Sequence, residues 1–341
     1  MHAGRPEGRN GVAVTQGRLA HAERCDGRRV ASGNRSLLVD LGETDLNIFH
    51  AVILGLIQGL AEFLPISSSG HLVLFSNLFG LESAEESNLF FDVLVHLGTL
   101  AAVLIVYRKE IAEMVREFFS LIRELFGSRR RNISAAPEED PVHNYRGESR
   151  RSVHPARRLI FLIIVATLPL FLILPVKGYI EGMRTRPILV GAALLLTGVI
   201  LYLSDRISKG RKTERSATWL DALFVGICQA FAVTPGISRS GTTIAGGLFA
   251  GFDRKFAVRF SFLMSIPTVI AATLLTFMDA LKAGVDTSMI PVYLTGMVVA
   301  GVSGFFAIKL LSYLTAKGKF GSFAWYCWAA GLVTIITVLA V

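Results

Sequence analysis

The sequence predicts an all-α polytopic membrane protein with about six transmembrane helices and two re-entrant pairs of broken helices. Three observations lead to this fold class. The 341 residues are 52% hydrophobic and only 18% charged, a composition typical of proteins embedded in lipid. Six apolar stretches approach the roughly 20 residues that cross a bilayer. Two polar interruptions of apolar segments share one residue pattern, which indicates an internal repeat.

Six stretches of the chain are long and apolar enough to be transmembrane helices. Five of them contain no charged residue, and the sixth contains Asp92 and His96. Titratable groups at this depth usually face the interior of the helix bundle. We interpret these two residues as interior polar contacts, with a supporting role beside a functional site as the alternative. The predicted spans are 89–107, 159–176, 188–203, 260–278, 290–308 and 320–341.

Two segments that lie 171 positions apart carry the same residues. Each interrupts an apolar helical pattern with a proline, Pro65 in the first segment and Pro235 in the second. Unpaired peptide groups are costly in hydrocarbon, so such breaks are tolerated only inside protein or along a wet cavity. We therefore expect the two breaks to meet and form a polar site. The repeated residues are Gly55, Gln58, Ser67, Ser69 and Gly70, matched by Gly226, Gln229, Ser238, Ser240 and Gly241.

The distribution of basic residues predicts how the chain crosses the membrane. The connection 108–158 contains twelve Lys or Arg residues and the connection 205–217 contains five, whereas 279–289 contains one. The positive-inside rule places the first two connections in the cytoplasm and the third outside. The first break then enters the membrane from outside and the second from inside, which makes an inverted-topology repeat. Within the first connection, apolar residues every three or four positions from Ile111 to Leu125 predict an amphipathic interfacial helix.

We predict a single membrane domain over residues 47–341. Residues 1–46 are expected to be either disordered or the product of a start site placed too early. Repeat 1 covers about 47–176, with its cytoplasmic loop at 108–158, and repeat 2 covers about 218–341. The net charge of +9 resides mostly in connections, so we expect no nucleic-acid partner. The three cysteines are far apart in the sequence, which predicts neither a disulfide framework nor a zinc site.

The first break carries a carboxylate in apolar surroundings. Gln58 and Glu62 are four residues apart and therefore share one helix face. A carboxylate inside lipid is costly unless it meets a cation, a metal ion or a proton, so Glu62 indicates a function. The alternative is a glutamate at a helix end that reaches the headgroups. The serines 67–69 can cap the following helix, and His71 would lie in the first turn of that helix.

The second break places glycine, hydroxyl groups and an arginine before an uncharged helix. Free amides at a helix start and a guanidinium that binds two oxygens together form a phosphate cradle. The alternative for Arg239 is a topology-determining charge at the tip of a re-entrant segment. Carboxylate, imidazole, hydroxyl and guanidinium groups from the two breaks together predict a site for phosphoryl transfer.

Two ordered motifs carry a family resemblance. Residues 58–71, QGLAEFLPISSSGH, and residues 235–243, PGISRSGTT, resemble the bacitracin-resistance family of undecaprenyl-pyrophosphate phosphatases. The resemblance covers roughly residues 47–341. The first family motif has either Glu or Gln at the position of Gln58, so this chain lacks one formal charge there. The 46 N-terminal residues and the arginine-rich loop 108–158 depart from the shorter form of the family.

The resemblance implies an integral membrane phosphatase that hydrolyses undecaprenyl pyrophosphate to undecaprenyl phosphate and inorganic phosphate. Such an enzyme recycles the carrier lipid for peptidoglycan and cell-envelope synthesis and gives bacitracin resistance. The implied location is the bacterial plasma (inner) membrane, with an active site that opens to the outer, periplasmic face. The implied partners are the polyprenyl pyrophosphate lipid and the bilayer, and a homodimer is one option for the oligomeric state.

The resemblance also implies roles for individual residues. Glu62 and Gln58 would hold a divalent cation, Mg²⁺ or Ca²⁺, or a water molecule, and Arg239 would bind the pyrophosphate. Ser68 and His71 are the candidates for nucleophile and general acid–base, and the sequence does not choose between them. The remaining candidates for substrate binding are Ser67, Ser69, Ser238, Ser240, Thr243 and Gly236.

A secondary transporter or a flippase of polyprenyl phosphates is the main alternative. Inverted repeats of broken helices are a common transporter architecture, so the fold alone does not separate these functions. The combination of Glu62 and His71 with Arg239 favours the enzyme, because a carrier of neutral solutes does not need it. A carrier of phosphorylated lipids could use the same arginine, so flipping remains an alternative or additional activity.

Overall fold

The computed structural model describes five parts of the chain, and they are almost entirely helical. Within them, an isolated bridge between Lys212 and Phe252 is the sole β-type pairing. The predictions for the segment 1–46 and for the loop after the amphipathic helix fall almost wholly outside the described residues. The described parts are 46–78, 89–127, 154–183, 186–207 and 210–340.

The described residues form twelve α-helices. Two short 3₁₀ turns, Leu168–Leu172 and Leu174–Val176, lie between the fifth and sixth of them. In chain order the helices are α1 (Ile48–Phe63), α2 (Ser68–Leu78), α3 (Leu89–Val106), α4 (Arg108–Gly127), α5 (Pro155–Thr167), α6 (Lys177–Glu181), α7 (Pro187–Ile207), α8 (Trp219–Phe231), α9 (Arg239–Phe249), α10 (Arg254–Ala283), α11 (Ile290–Ala316) and α12 (Phe323–Ala340).

Six helical stretches in the described chain are long and apolar enough to cross a membrane, as the sequence predicts. Their mean hydropathy is 1.8 to 2.3 over 18 residues, and the chain is therefore a polytopic all-α membrane protein. α1 and α8 are apolar but shorter. The six stretches are Leu89–Val106, Pro155–Leu172, Pro187–Arg206, Arg254–Ala283, Thr287–Ala316 and Phe320–Ala340.

The fourth span begins earlier than the apolar pattern suggests. The sequence predicts a span from residue 260, but α10 already starts at Arg254 because Asp253 caps it. The Asp253 carboxylate accepts a hydrogen bond from the amide of Lys255 at 3.0 Å. Arg254 and Arg259 lie in this polar first part, where each guanidinium lies 2.5 Å from a carboxylate oxygen. Capping and ion pairing thus extend the helix beyond its apolar part.

Small residues let the central helices approach closely. α11 packs against both α1 and α3. A Cβ atom at Gly55 would lie 2.6 Å from the carbonyl oxygen of Gly296, and one at Gly59 would lie 2.4 Å from that of Ala300. Helices in lipid associate largely through such close van der Waals packing. This contact therefore fixes the position of α1, the helix that leads into the first break.

Both predicted helix breaks are present. α1 ends at Phe63 and α2 begins at Ser68, while α8 ends at Phe231 and α9 begins at Arg239. Each gap contains the proline of its motif, which cannot continue a helix because it has no amide hydrogen to donate. Each predicted break therefore separates two helices, α1 from α2 and α8 from α9. Their entry from opposite sides of the membrane remains a prediction from charge.

The amphipathic helix predicted inside the connection 108–158 is α4. It packs along α5, where Arg157 Nε donates to Glu117 at 2.7 Å and the Nη atoms of Arg157 donate to Glu124 at 2.8 and 2.9 Å. Arg157 also donates to the Ser120 hydroxyl at 3.1 Å. One arginine of a transmembrane span therefore holds three residues of α4.

Candidate active site

The two breaks are built with the same hydrogen bonds. The Ser67 hydroxyl accepts a hydrogen bond from the amide of Gly70 at 3.4 Å, and the Ser238 hydroxyl accepts one from the amide of Gly241 at 3.1 Å. Each serine thereby caps the second helix of its pair. The sequence predicted this role for Ser67, whereas it predicted Ser238 only as a substrate-binding residue. Ser67 has a φ of 70°, which is unfavourable for a residue other than glycine. The surrounding structure holds it in this left-handed conformation.

The two breaks also touch each other. The Ser240 hydroxyl donates to the carbonyl of Leu64 at 3.3 Å, which joins the start of α9 to the end of α1. A Cβ atom at Gly241 would lie 3.0 Å from the Cβ of Pro65. The Cys327 thiol donates to the carbonyl of Pro65 at 3.3 Å. The sequence prediction that the two interruptions meet is therefore confirmed.

Gly236 gives the second break its turn. Its φ is +90°, and a Cβ atom there would lie 2.5 Å from the carbonyl oxygen of Val190 on α7. No other residue type fits this backbone angle and this close approach without strain. The glycine thus lets α9 start beside α7, so that Arg239 is directed towards the first break.

Glu62 connects the functional groups of the two breaks. Its Oε2 accepts a hydrogen bond from the Ser68 hydroxyl at 2.7 Å and one from Gln58 Nε2 at 3.3 Å. Its Oε1 accepts a hydrogen bond from Arg239 Nη2 and forms an ion pair with it. Glu62 is 8% exposed, and a buried carboxylate requires such partners. The predicted meeting of an acidic residue and a guanidinium is therefore present.

A cavity of about 580 Å³ opens beside this cluster. Its polar part is lined by Glu62, Ser68, Ser69, Ser238 and Arg239. The remaining wall is mostly apolar and is supplied by the chain after α5 and by the second half of α10, including Leu170, Phe171, Ile173, Val269, Leu274 and Leu275. The cavity therefore suits a molecule with a charged head and an apolar body.

Several predicted substrate-binding residues hold the breaks together and are absent from the cavity lining. The Ser67 and Ser240 hydroxyls bond within and between the breaks. Thr243 Oγ1 donates to the carbonyl of Arg239 at 2.8 Å and contacts the Ser261 hydroxyl. Gly236 forms the turn. Of the six residues proposed for substrate binding, only Ser69 and Ser238 line the cavity.

His71 lies away from the cavity lining. Its Nδ1 is 2.8 Å from the carbonyl oxygen of Ser67, and its Nε2 is 2.6 Å from the hydroxyl of Tyr326 on α12. The imidazole and phenol rings are stacked, with 5.6 Å between their centroids. Both ring nitrogens therefore have protein partners, and the side chain ties the first break to α12.

Three polar residues of the cavity wall did not belong to the predicted site. Asp92 and His96 line the cavity from α3, with His96 Nδ1 at 3.3 Å from Asp92 Oδ1. The sequence analysis favoured interior contacts for this pair, whereas the pair lies in the wall of the cavity. Gln229 lines the cavity from α8. Its place in the repeated Gly-x-x-Gln pattern was the signal that could have identified it.

The oxygen atoms near Glu62 are suitable for a hard divalent cation. Mg²⁺ and Ca²⁺ prefer carboxylate, amide and hydroxyl oxygens, and Mg²⁺ often takes its other ligands from substrate phosphates. Glu62 and Ser68 provide such oxygens, and Gln58 Oε1 is buried without a hydrogen-bond partner among the described residues. The described chain has no group of three His, Cys, Asp or Glu side chains that could hold a metal ion. Of these residues, Glu62 and Ser68 line the cavity and Gln58 does not, so the fit to a cation that binds together with a diphosphate rests on Glu62 and Ser68.

Comparison with known proteins agrees with the motifs. The family model described as bacitracin resistance protein BacA matches residues 51–333. A protein of Carboxydothermus hydrogenoformans named undecaprenyl-diphosphatase is 39% identical over 301 residues, which cover 86% of this chain and 98% of the relative. Proteins with the same name from Desulforapulum autotrophicum and Alkaliphilus metalliredigens are 40% and 36% identical over 85% of this chain and 98% of each relative. The chain belongs to the BacA family of bacitracin resistance proteins.

Proposed function

We propose that this chain is a membrane phosphatase that hydrolyses undecaprenyl diphosphate to undecaprenyl phosphate and inorganic phosphate. The observation that carries the proposal is the cluster of Ser68, Glu62 and Arg239 at the polar end of a largely apolar cavity. The relatives named undecaprenyl-diphosphatase support the same activity. Hydrolysis would recycle the carrier lipid for cell-envelope synthesis and would counter bacitracin.

Arg239 and the start of α9 bind the diphosphate in this proposal. The Glu62 contact uses one Nη of the guanidinium, and a guanidinium has five N–H donors, so others can bind phosphate oxygens. Ser238 and Ser69 add hydroxyl donors from the cavity wall. The amides at the start of α9 add a positive field, because helix N-termini attract anions. These groups counter the negative charge that the lipid brings into an apolar environment.

Ser68 is the nucleophile in this mechanism. Its hydroxyl already donates to Glu62 at 2.7 Å, so the carboxylate can take the proton as the serine oxygen bonds to the terminal phosphorus. The bond between that phosphorus and the bridging oxygen breaks, and the lipid leaves as its monophosphate. Arg239 stabilises the charge on the transferring phosphoryl group.

Water completes the reaction at the phosphorylated serine. The water oxygen bonds to phosphorus as the bond to Ser68 Oγ breaks. The serine oxygen recovers a proton from Glu62, one water proton passes to solvent, and the other stays on the released phosphate. Glu62 therefore acts first as a base and then as an acid, and both residues return to their starting state.

His71 positions the first break in this mechanism. Its contacts with Ser67 and Tyr326 occupy both ring nitrogens, so the geometry favours Ser68 over His71 as the group that attacks phosphorus. The imidazole fixes the residue that immediately precedes the nucleophile. Precise placement of a nucleophile contributes strongly to the rate, because small displacements are costly in phosphoryl transfer.

A divalent cation, Mg²⁺ or Ca²⁺, is part of the proposal. Glu62 would hold it from the cavity wall. Gln58, the second predicted ligand, lies outside the cavity lining and donates to Glu62 at 3.3 Å, so it would act on the ion through Glu62. When bound with a diphosphate, such an ion neutralises phosphate charge and makes the phosphorus easier to attack. Ser68 would still donate to Glu62 Oε2, and Arg239 would supply the main protein cation at the substrate.

The proposed location is the bacterial inner membrane, with the cavity open to the periplasmic face. The charge distribution of the connections supports this orientation through the positive-inside rule. The isoprenoid would stay against the apolar wall formed after α5 and along α10, while its head reaches Arg239. A homodimer is one possible assembly of the chain in the membrane.

The proposal is tested by phosphate release from a polyprenyl diphosphate by the purified protein in detergent. Wild type should release phosphate, a chelator should suppress the release, and added Mg²⁺ or Ca²⁺ should restore it. A flippase without hydrolytic activity would move labelled polyprenyl phosphate across proteoliposomes but release no phosphate. No release by folded wild type with either ion would defeat the proposal.

A further inference from the structure

We propose that Gln229 binds the diphosphate group of the substrate through its side-chain amide. The inference rests on the proposed function and adds a residue to the same site. Gln229 lies in the last turn of α8, just before the second break. The residue lines the cavity that Glu62, Ser68 and Arg239 also line.

The Gln229 amide is buried without a protein partner. The residue is 1% exposed, and neither Oε1 nor Nε2 has a hydrogen-bond partner among the described residues. A primary amide offers two donors and one acceptor atom with two lone pairs. Burial of such a group without hydrogen bonds is unfavourable, so most buried amides in proteins are paired. A polar molecule in the cavity would pair this one.

The first repeat explains why Gln229 differs from an ordinary structural glutamine. Gln58 occupies the equivalent position and is fully buried. Its Nε2 donates to Oε2 of Glu62, one helix turn later, at 3.3 Å. The residue one turn after Gln229 is Val233, which offers no such acceptor. Gln58 is also absent from the cavity lining, whereas Gln229 and Val233 both line it. The second repeat therefore keeps a glutamine in the cavity wall, with a buried amide that lacks the intramolecular partner of Gln58.

The chemistry of the amide suits a diphosphate. Its NH₂ group donates to anionic phosphate oxygens, and hydrogen bonds to charged groups are stronger than those between neutral groups. It carries no charge, so it does not compete with Glu62 for Arg239. Its Oε1 can accept from a water molecule that hydrates the phosphate. Gln229 would thus contact the head of the substrate from α8, while Arg239 contacts it from α9.

The test replaces the amide with apolar side chains of similar size, Gln229→Met and Gln229→Leu. We expect the KM for polyprenyl diphosphate to rise about tenfold with kcat within about threefold, because the lost contact is made in the bound substrate. The increase in KM should be the same for a short-chain and a long-chain prenyl diphosphate, because the lost contact is with the diphosphate group. The unfolding temperature should stay equal to that of wild type or increase, because an unpaired buried amide is removed.

Thr315→Val provides the matched control. Thr315 is also fully buried, its Oγ1 is also without a partner among the described residues, and it does not line the cavity. Its replacement should leave KM and kcat unchanged. A KM for both Gln229 variants within twofold of wild type would overturn the inference. So would a KM change confined to the long-chain substrate.

Two further outcomes contradict the inference. Loss of folding in both variants would show that the amide is needed for structure, and a lower kcat at unchanged KM would exclude a role in binding. Failure of the proposed function is a separate result, because wild type itself would then release no phosphate. If wild type releases phosphate and the Gln229 variants have its KM and kcat, this inference is defeated and the proposed function is not.

Discussion

The Ser68 hydroxyl lies 2.7 Å from Oε2 of Glu62, although the two residues belong to different helices of the first break. The other oxygen of the same carboxylate binds Arg239 from the second break. One buried carboxylate thus joins a hydroxyl and a guanidinium that lie 171 positions apart in the sequence. The position of Arg239 in the second repeat corresponds to that of Ser68 in the first. The duplicated scaffold therefore carries different chemistry in its two copies.

Replacement of the proposed nucleophile should abolish phosphate release. Ser68→Ala removes the oxygen that forms the bond to phosphorus, and we expect a loss of about 10³-fold or more in kcat, as for other nucleophile removals. A rapid quench of wild type with substrate should give a phosphorylated peptide containing Ser68, seen by mass spectrometry. Ser312→Ala is the matched control, because its hydroxyl bonds within α11 at 2.8 Å and lies outside the cavity lining. Full activity of Ser68→Ala would remove the covalent step from the mechanism.

His71 should affect structure more than chemistry. His71→Gln and Tyr326→Phe each break the 2.6 Å hydrogen bond between these residues. Substitutions of two residues that share a hydrogen bond have non-additive effects on stability. The free energy of unfolding of the double variant should therefore fall by about 1 kcal/mol less than the sum of the two single losses. Equilibrium unfolding in mixed detergent and SDS measures this coupling. His71→Gln should keep phosphate release within about tenfold of wild type. A loss like that of Ser68→Ala, together with a phosphorylated peptide that contains His71 and not Ser68, would make His71 the nucleophile.

The contact between α1 and α11 should not tolerate a methyl group. In Gly59→Ala the new Cβ would lie 2.4 Å from the carbonyl oxygen of Ala300, and overpacking of this kind costs about 1–3 kcal/mol. Because α1 leads to Glu62, phosphate release should fall together with the unfolding temperature. Gly178→Ala is the control, since a Cβ there has nothing within 4 Å. Equal unfolding temperatures for the two variants would refute the close helix contact.

Arg157 should hold α4 against α5. Arg157→Ala removes the hydrogen bonds to Glu117, Ser120 and Glu124, so amides in Arg108–Gly127 should exchange hydrogen faster than in wild type. Hydrogen–deuterium exchange followed by mass spectrometry gives this rate. Phosphate release should be unchanged, because Arg157 lies outside the cavity lining. Unchanged exchange in α4 would show that other contacts are sufficient to hold it.

The sequence predicted the fold and the meeting of the two breaks because both follow from general constraints. Lipid requires long apolar helices, and it tolerates a broken helix only beside protein or water. These rules gave the six spans, the paired breaks and the contact between Glu62 and Arg239. The early start of α10 was missed because Asp253 capping and ion pairs override the apolar pattern.

The direction of each hydroxyl was harder to predict. Ser67 and Ser69 are neighbours in one motif, yet Ser67 caps a helix while Ser69 faces the cavity. This difference depends on the local backbone, including the φ of 70° at Ser67, which residue types alone do not determine. Gln229 was overlooked for a related reason. Its repeat position was visible, but its lack of a hydrogen-bond partner required coordinates.

The central claim is that Glu62 and Arg239, one from each break, act on the same diphosphate. The most direct test is kcat/KM for phosphate release by Glu62→Gln, Arg239→Gln and the double variant in detergent. The effects of replacing residues that act in one step are strongly non-additive. The kcat/KM of each single variant should therefore fall about 10³-fold, and that of the double variant should fall little further. Activity within twofold of wild type in either single variant, or losses that multiply in the double variant, would contradict the account.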